Sequence, residues 1–345
     1  MQFTLRSRFR GALLGAALGE VFGTIALQSG MLAQPSLSLR DATHIWRLNL
    51  FPEAEQRAES GLSSRPFLAL ANALIQPPIL QAQVVQSPVR TEQNRSTQKP
   101  DSAIDLLPLI LFCHESQTQI QQSLVPQLAH LPVPRQTELL TIALIVSGIL
   151  QEQFRVDRGN LGTSLYALME HPLLEELPKG LRSGKQSAPI MQGNSAAENC
   201  DLRDQLQQVQ TWLEQDIPLT MLPEILSPVA AALYGMLKTP TVFPLALLHT
   251  LRLNPDPEAA ALMGLFAGAH LSEAGLPIGW RLAIDRDQSN TLKHLWGIAS
   301  VADLLELSDR LWAAWSGAFQ PYSWQSAKSS AGSTVTAIPR LVRPR

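Results

Sequence analysis

Cysteine is almost missing from this chain. Cys113 and Cys200 are the only two in 345 residues. That excludes a disulfide-stapled scaffold and a zinc module built on thiolates, and a reducing cytosol is the default compartment. Charge is scarce as well. Asp, Glu, Lys and Arg make up 16% of the sequence, against the usual quarter or so, so the surface must draw on Gln, Ser, Thr and Asn. A net charge of −2 excludes a strongly basic nucleic-acid binder and an acidic-tail protein. No uninterrupted apolar run reaches the roughly 18 residues that a membrane-spanning helix needs. Arg6, Arg8 and Arg10 ahead of the apolar stretch Gly11–Gly19 imitate a secretory leader. Glu20 breaks that stretch, however, and no small-x-small cleavage site follows. The expectation is a soluble, cytoplasmic protein with neither membrane nor nucleic acid among its partners.

Motifs of catalysis are equally thin. The seven histidines form no His-Glu-x-x-His, and no glycine-rich phosphate loop ends in Lys-Ser/Thr. A Gly-x-Ser-x-Gly nucleophile turn is absent. Cys113-His114-Glu115 sets a thiol beside an imidazole, but neighbours on a helix point apart, and a catalytic pair must meet at hydrogen-bond distance. A structural or surface role is the reading. His249 and His270 fall in apolar helical stretches and read as core or cleft-wall residues. Trp312 and Trp315, three apart on one helix face, read as core or interface. Strand-like alternation is confined to Val84-Val85 and Thr334–Ile338, and no repeat of solenoid period is present.

What the sequence does contain is helix. Residues 137–153 are long and apolar. Residues 226–238 open on Ser227-Pro228, a cap followed by proline at the first helical position. Residues 241–253 take Thr241 as cap and Pro244 in the first turn. Residues 256–271 open on Asp256-Pro257-Glu258, with the acid near the positive helix end. Residues 300–319 set Val301, Leu304, Leu305, Leu307 and Leu311 on one apolar face. Polar loops are expected near 81–102 and 178–205, and a basic, disordered tail over 321–345.

Arg8–Gly23 is the most informative stretch. Gly11, Gly15, Gly19 and Gly23 recur every four residues and form a stripe without side chains on a helix. Four helical glycines at roughly 1 kcal/mol each need a reason: either close helix packing, or a helix abutting a site with Glu20 pointing into it.

RFRGALLGAALGEVFG resembles the opening helix of the ADP-ribosylglycohydrolase family, whose stripe reads R-x-x-G-x-x-x-G-x-x-x-G-D-x-x-G. The run from Ser227 to Trp280 is similar in order and spacing to the family's closing helices, with Gly264, Ala267, Gly268, Pro277 and Trp280 where that pattern wants them. Residues 64–74 resemble the helix after the family's Thr-Asp-Asp-Thr motif, while 80–225 matches weakly. The resemblance implies an all-α, ADP-ribosylglycohydrolase-like orthogonal helical bundle over residues 1–320. It also implies a hydrolase holding two magnesium ions through an Asp-Asp pair in one motif and two Asp and a Thr in another. Hard cations need such oxygen donors.

Both metal motifs depart from the family. Gly61-Leu62-Ser63-Ser64 followed by Arg65 stands where the first is expected, and an arginine there repels cations. Pro255 and Pro257 fall on the two Asp positions of the second. Asp256 and Glu258 are off by one residue, a rotation of ~100° on a helix, and Asp256 reads as a helix cap. The cleft-lining candidates are Gly15, Gly19, Ser63, Ser64 and Arg65, and the catalytic candidate is Glu20. The expectation is a protein without the binuclear magnesium site and with no cofactor, serving as a binding or regulatory partner of ADP-ribose or an ADP-ribosylated protein. The alternative is an active glycohydrolase in which Glu20, Asp256 and Glu258 gather magnesium. A scaffold dimerising through its last, tryptophan-bearing helix is a third.

Overall fold

The structure, a computed structural model, describes residues 3–28, 66–75, 100–154, 202–222, 226–286 and 290–318. Both strand candidates, the 321–345 tail, Ser63, Ser64, Arg65 and most of the two polar loops lie outside the described residues. Within them the secondary structure is helical, as the sequence led us to expect: α1 (Leu5–Gln28), α2 (Pro66–Ile75), α3 (Ala103–Cys113), α4 (Gln117–Leu128), α5 (Val133–Leu150), α6 (Leu202–Glu214), α7 (Pro228–Lys238), α8 (Phe243–Leu253), α9 (Pro257–Leu271), α10 (Ile278–Asp285), α11 (Thr291–Trp296) and α12 (Val301–Ser316).

Helix α1 runs through the centre, buried on every side from Phe9 to Phe22 apart from Arg10. An all-round apolar helix has no solvent face to offer, so other helices must enclose it. Its main partner is α9, and the glycines set the register. Gly11 lies against Gly268, Gly15 against Gly264, Gly19 against Ala260, and Gly23 against Ala260 and Pro257. As one number rises the other falls, so the helices run antiparallel, backbone on backbone, for about 18 Å at 1.5 Å per residue. The stripe is therefore a packing device, and Gly15 and Gly19 face α9 rather than a cleft.

The remaining helices wrap this pair. α12 lies along α1, α5 and α7 lie on α9, and α3 joins α2, α4 and α5. α7 and α8 form an antiparallel hairpin through another close glycine. A Cβ on Gly235 would stand 2.5 Å from the Ala246 carbonyl oxygen. α6 covers α7 with a smaller apolar cluster around Val209, Trp212 and Tyr234.

Among the described residues two helices, α1 and α5, are long and apolar enough to cross a membrane, where the sequence reads as offering none. Most of each apolar window, 83% and 67%, is buried inside the protein, and an apolar helix enclosed by others meets the same test of length and composition.

Several boundaries move for local reasons. α5 begins at Val133 behind Pro132 and ends at Leu150, where Gln153 and Phe154 donate back to the Gly148 carbonyl. Val242, not Thr241, is the cap of α8, because buried Phe243 takes the first helical position and no side chain caps the end. The 178–205 loop ends early, since α6 starts at Leu202, whereas the 81–102 stretch gives way at its own end to α3, capped by Ser102 and starting at Ala103. α12 stops at Ser316, with Gly317 at φ 72°, the left-handed closure glycine favours.

Candidate functional site

The α1–α9 register brings the candidate acids to one end of the bundle. Gly19 sits opposite Ala260 and Gly23 opposite Pro257, so Glu20 is level with the start of α9, which carries Asp256 and Glu258. Glu20 is 7% exposed, and its backbone carbonyl accepts a 2.8 Å hydrogen bond from Thr24 Oγ1.

Asp256 turns back on its own helix. Its Oδ1 accepts from the Glu258 N–H at 2.9 Å, as the Asp-Pro-Glu sequence led us to expect of a cap. Glu258 does something the sequence reading missed: its carboxylate is held by the guanidinium of Arg135, in the first turn of α5. The same guanidinium donates to Glu138 Oε2 at 2.6 Å and to the Asp101 carbonyl at 3.3 and 3.4 Å. A single cation thus ties the starts of α5 and α9 to the residue just before the α3 cap, Ser102.

Burial pushes the Glu258 carboxyl up, and Arg135 only partly offsets this while Glu138 and Asp256 add repulsion. Burial also acts against the Arg135 charge, but Glu258 and Glu138 outweigh it and the guanidinium is held protonated. Glu138 Oε1 is buried with no hydrogen-bond partner. A readable signal did exist. Arg135 is a cation in the first turn of a helix, where the dipole disfavours it, and such a residue needs acids nearby. Among the described residues, no three of His, Cys, Asp and Glu lie close enough together to hold a metal ion.

Other candidates resolve into packing. Cys113 Sγ contacts Ser123 Oγ at 3.5 Å, while His114 Nδ1 lies 2.7 Å from the Leu111 carbonyl, so thiol and imidazole do not pair. Burial pushes the Cys113 thiol up, away from the reactive thiolate, and the His114 imidazole down. Trp315 packs on Phe9 and His114, with ring centroids 5.9 and 5.0 Å away. Trp312 takes the Arg6 guanidinium over its ring at 5.8 Å. Trp280 stacks on Phe22 at 5.0 Å and meets Phe243 edge-on at 5.8 Å.

The three arginines that imitate a leader are tied into the fold. Arg6 and Arg10 each fork onto Asp309 of α12, and Arg10 also reaches Glu273, which Arg281 shares. Arg8 donates to the Ile149 carbonyl at the end of α5 at 3.0 Å and to Glu152 at 2.7 Å.

A scan of the chain against models of known families finds no match, and neither does a search of curated proteins.

Proposed function

We propose that this protein is a divergent ADP-ribosylglycohydrolase-like protein. In this reading it binds ADP-ribose or an ADP-ribosylated protein and does not cleave the glycosidic bond. The observation that carries the reading is the use made of the two acids at the start of α9. Asp256 caps its own helix and Glu258 is paired with Arg135, so neither serves as a free donor for a hard cation. Support for the family itself is the backbone contact between Gly11–Gly19 and Ala260–Gly268, which gives the resembling glycines of both helices a common purpose. The residues on this side of the expected magnesium pair do not fit two ions. Cleavage of the glycosidic link needs an activated water and stabilisation of the sugar's developing positive charge, and a fold without those groups does not supply them.

The test is calorimetric titration of the protein with ADP-ribose, with and without magnesium, beside a release assay on ADP-ribosylated arginine and serine peptides. We expect binding that does not depend on magnesium and no release. Release that disappears in Glu20→Gln would establish the active alternative. No heat with ADP-ribose in either condition would refute the binding reading.

A further inference from the structure

We infer that the guanidinium of Arg135 is the resident cation at the end of the bundle where α3, α5 and α9 begin, occupying the ground between Glu138 and Glu258 that a divalent cation would otherwise take. Arg135 is not in the first turn of α5 for that helix's benefit, since the dipole opposes it. Its acceptors hold it there: Glu138 Oε2 on one amino group, Glu258 Oε1 and the Asp101 carbonyl on the other, with Nε also directed at Asp101. A guanidinium can do this because its donors diverge in a rigid plane and its charge survives burial.

Three segments distant in sequence are thereby fastened by one positive charge, the structural task a metal ion performs with oxygen ligands. Charge at this point is not surplus. Two carboxylates share one guanidinium, the Asp256 carboxylate adds to the repulsion on Glu258, and one oxygen of Glu138 stays buried and unpartnered. Removing Arg135 leaves Glu138 and Glu258 a guanidinium's width apart with nothing between them. The wild-type chain therefore has no use for an added divalent cation here, and a chain without Arg135 does.

Thermal melts of the full chain with and without millimolar magnesium decide the matter. The wild-type melting temperature is expected not to move. R135K, which keeps the charge but loses the fork of donors, is expected to melt between wild type and R135Q and to stay insensitive to magnesium. R135Q is expected to melt several degrees lower, with part of the loss restored by magnesium, and that restoration is expected to vanish in R135Q/E258Q. A wild-type melting temperature that rises with magnesium overturns the inference, as does an R135Q chain of native helix content that ignores magnesium. Should R135Q fail to fold, E138Q/E258Q carries the test from the acid side. It is expected to melt below wild type at every magnesium concentration, and equal stability overturns the inference. Failure to bind ADP-ribose would refute the proposed function and leave these melts untouched.

Discussion

Replacing Gly15 with alanine sets two known effects against each other at one position. In an open helix the change stabilises by about 1 kcal/mol, because glycine gives up more backbone freedom on folding. At Gly15 the added methyl would stand 2.9 Å from the Gly264 carbonyl carbon, closer still to its oxygen, and 3.1 Å from the Gly268 Cα. All three are backbone atoms, so no rotamer change relieves the clash. Relief requires α1 and α9 to separate by roughly 1 Å. A gap of that size forfeits up to about half of each dispersion contact along the seam.

Overpacking of a filled core costs about 1–3 kcal/mol, and the rigidity here argues for the upper end. Subtracting the propensity gain leaves a net loss of about 2 kcal/mol, or roughly 3 °C in melting temperature for a chain of 345 residues at about 2.1 cal/mol/K of unfolding entropy per residue. Gly279→Ala is the internal control: Gly279 lies in α10 and a Cβ there would meet nothing within 4 Å. It is expected to be neutral or to stabilise by up to about 1 kcal/mol. Urea unfolding followed by circular dichroism reads both variants. A Gly15→Ala chain as stable as wild type would refute the backbone-on-backbone seam, and with it the register that places Glu20 beside the start of α9.

Burial first, then the cations Arg252 and Lys238, lower the His249 imidazole from 6.5 to about 4. The unfolded chain thus binds more protons between those values, and this contribution to stability is full above pH 6.5 and lost as pH falls through 4. His249→Leu is expected to flatten that part of the pH dependence, checked by urea midpoints at pH 7 and pH 4.5; an unchanged slope would refute it. Burial alone would raise the Asp309 carboxyl, but the forks from Arg6 and Arg10 outweigh it and hold the group at about 2, against an ordinary 3.8. Its contribution is present above 3.8 and lost as pH falls through 2. Asp309→Asn is expected to cost about 1 kcal/mol at neutral pH and low salt, the modest value of partly exposed pairs. Because salt screens such charges, a loss of the same size in high salt would refute the ionic origin.

The helices legible in the sequence are those whose ends carry chemistry. Ser227-Pro228 and Asp256-Pro257 cap α7 and α9 where the capping pattern put them, and the apolar face over 300–319 marks α12, which Ser300 caps. Thr241 misled because a buried aromatic residue, Phe243, decides where α8 begins, and local pattern does not weigh burial. α3, α4 and α6 were missed. Pro108 and Pro126 sit inside α3 and α4 and read as breakers, while α6 follows a polar, glycine-bearing stretch that hides its start. The ion pairs were beyond reach for a different reason: Arg135 lies 123 residues from Glu258, and nothing local links a first-turn arginine to one particular glutamate.

The residues that carry the family resemblance are, wherever the structure describes them, residues that pack. Gly11, Gly15 and Gly19 meet Gly268, Gly264 and Ala260, and Trp280 stacks on Phe22. None of these contacts needs a ligand, so each would be kept by a chain with activity and by a chain without it. The same reasoning applies to Glu20. Its place one residue beyond Gly19 is fixed by the seam, because the register that seats Gly19 on Ala260 must carry residue 20 to the level where α9 starts. Burial of that carboxylate is thus a consequence of the fold before it is a sign of chemistry. Glu258 shows how the end of the bundle can be completed without a reaction: an arginine from α5 supplies the positive charge. What separates a working site from a retained scaffold is therefore whether Glu20 acts on a substrate. Loss of product release in Glu20→Gln reports that directly, while fold-level likeness does not.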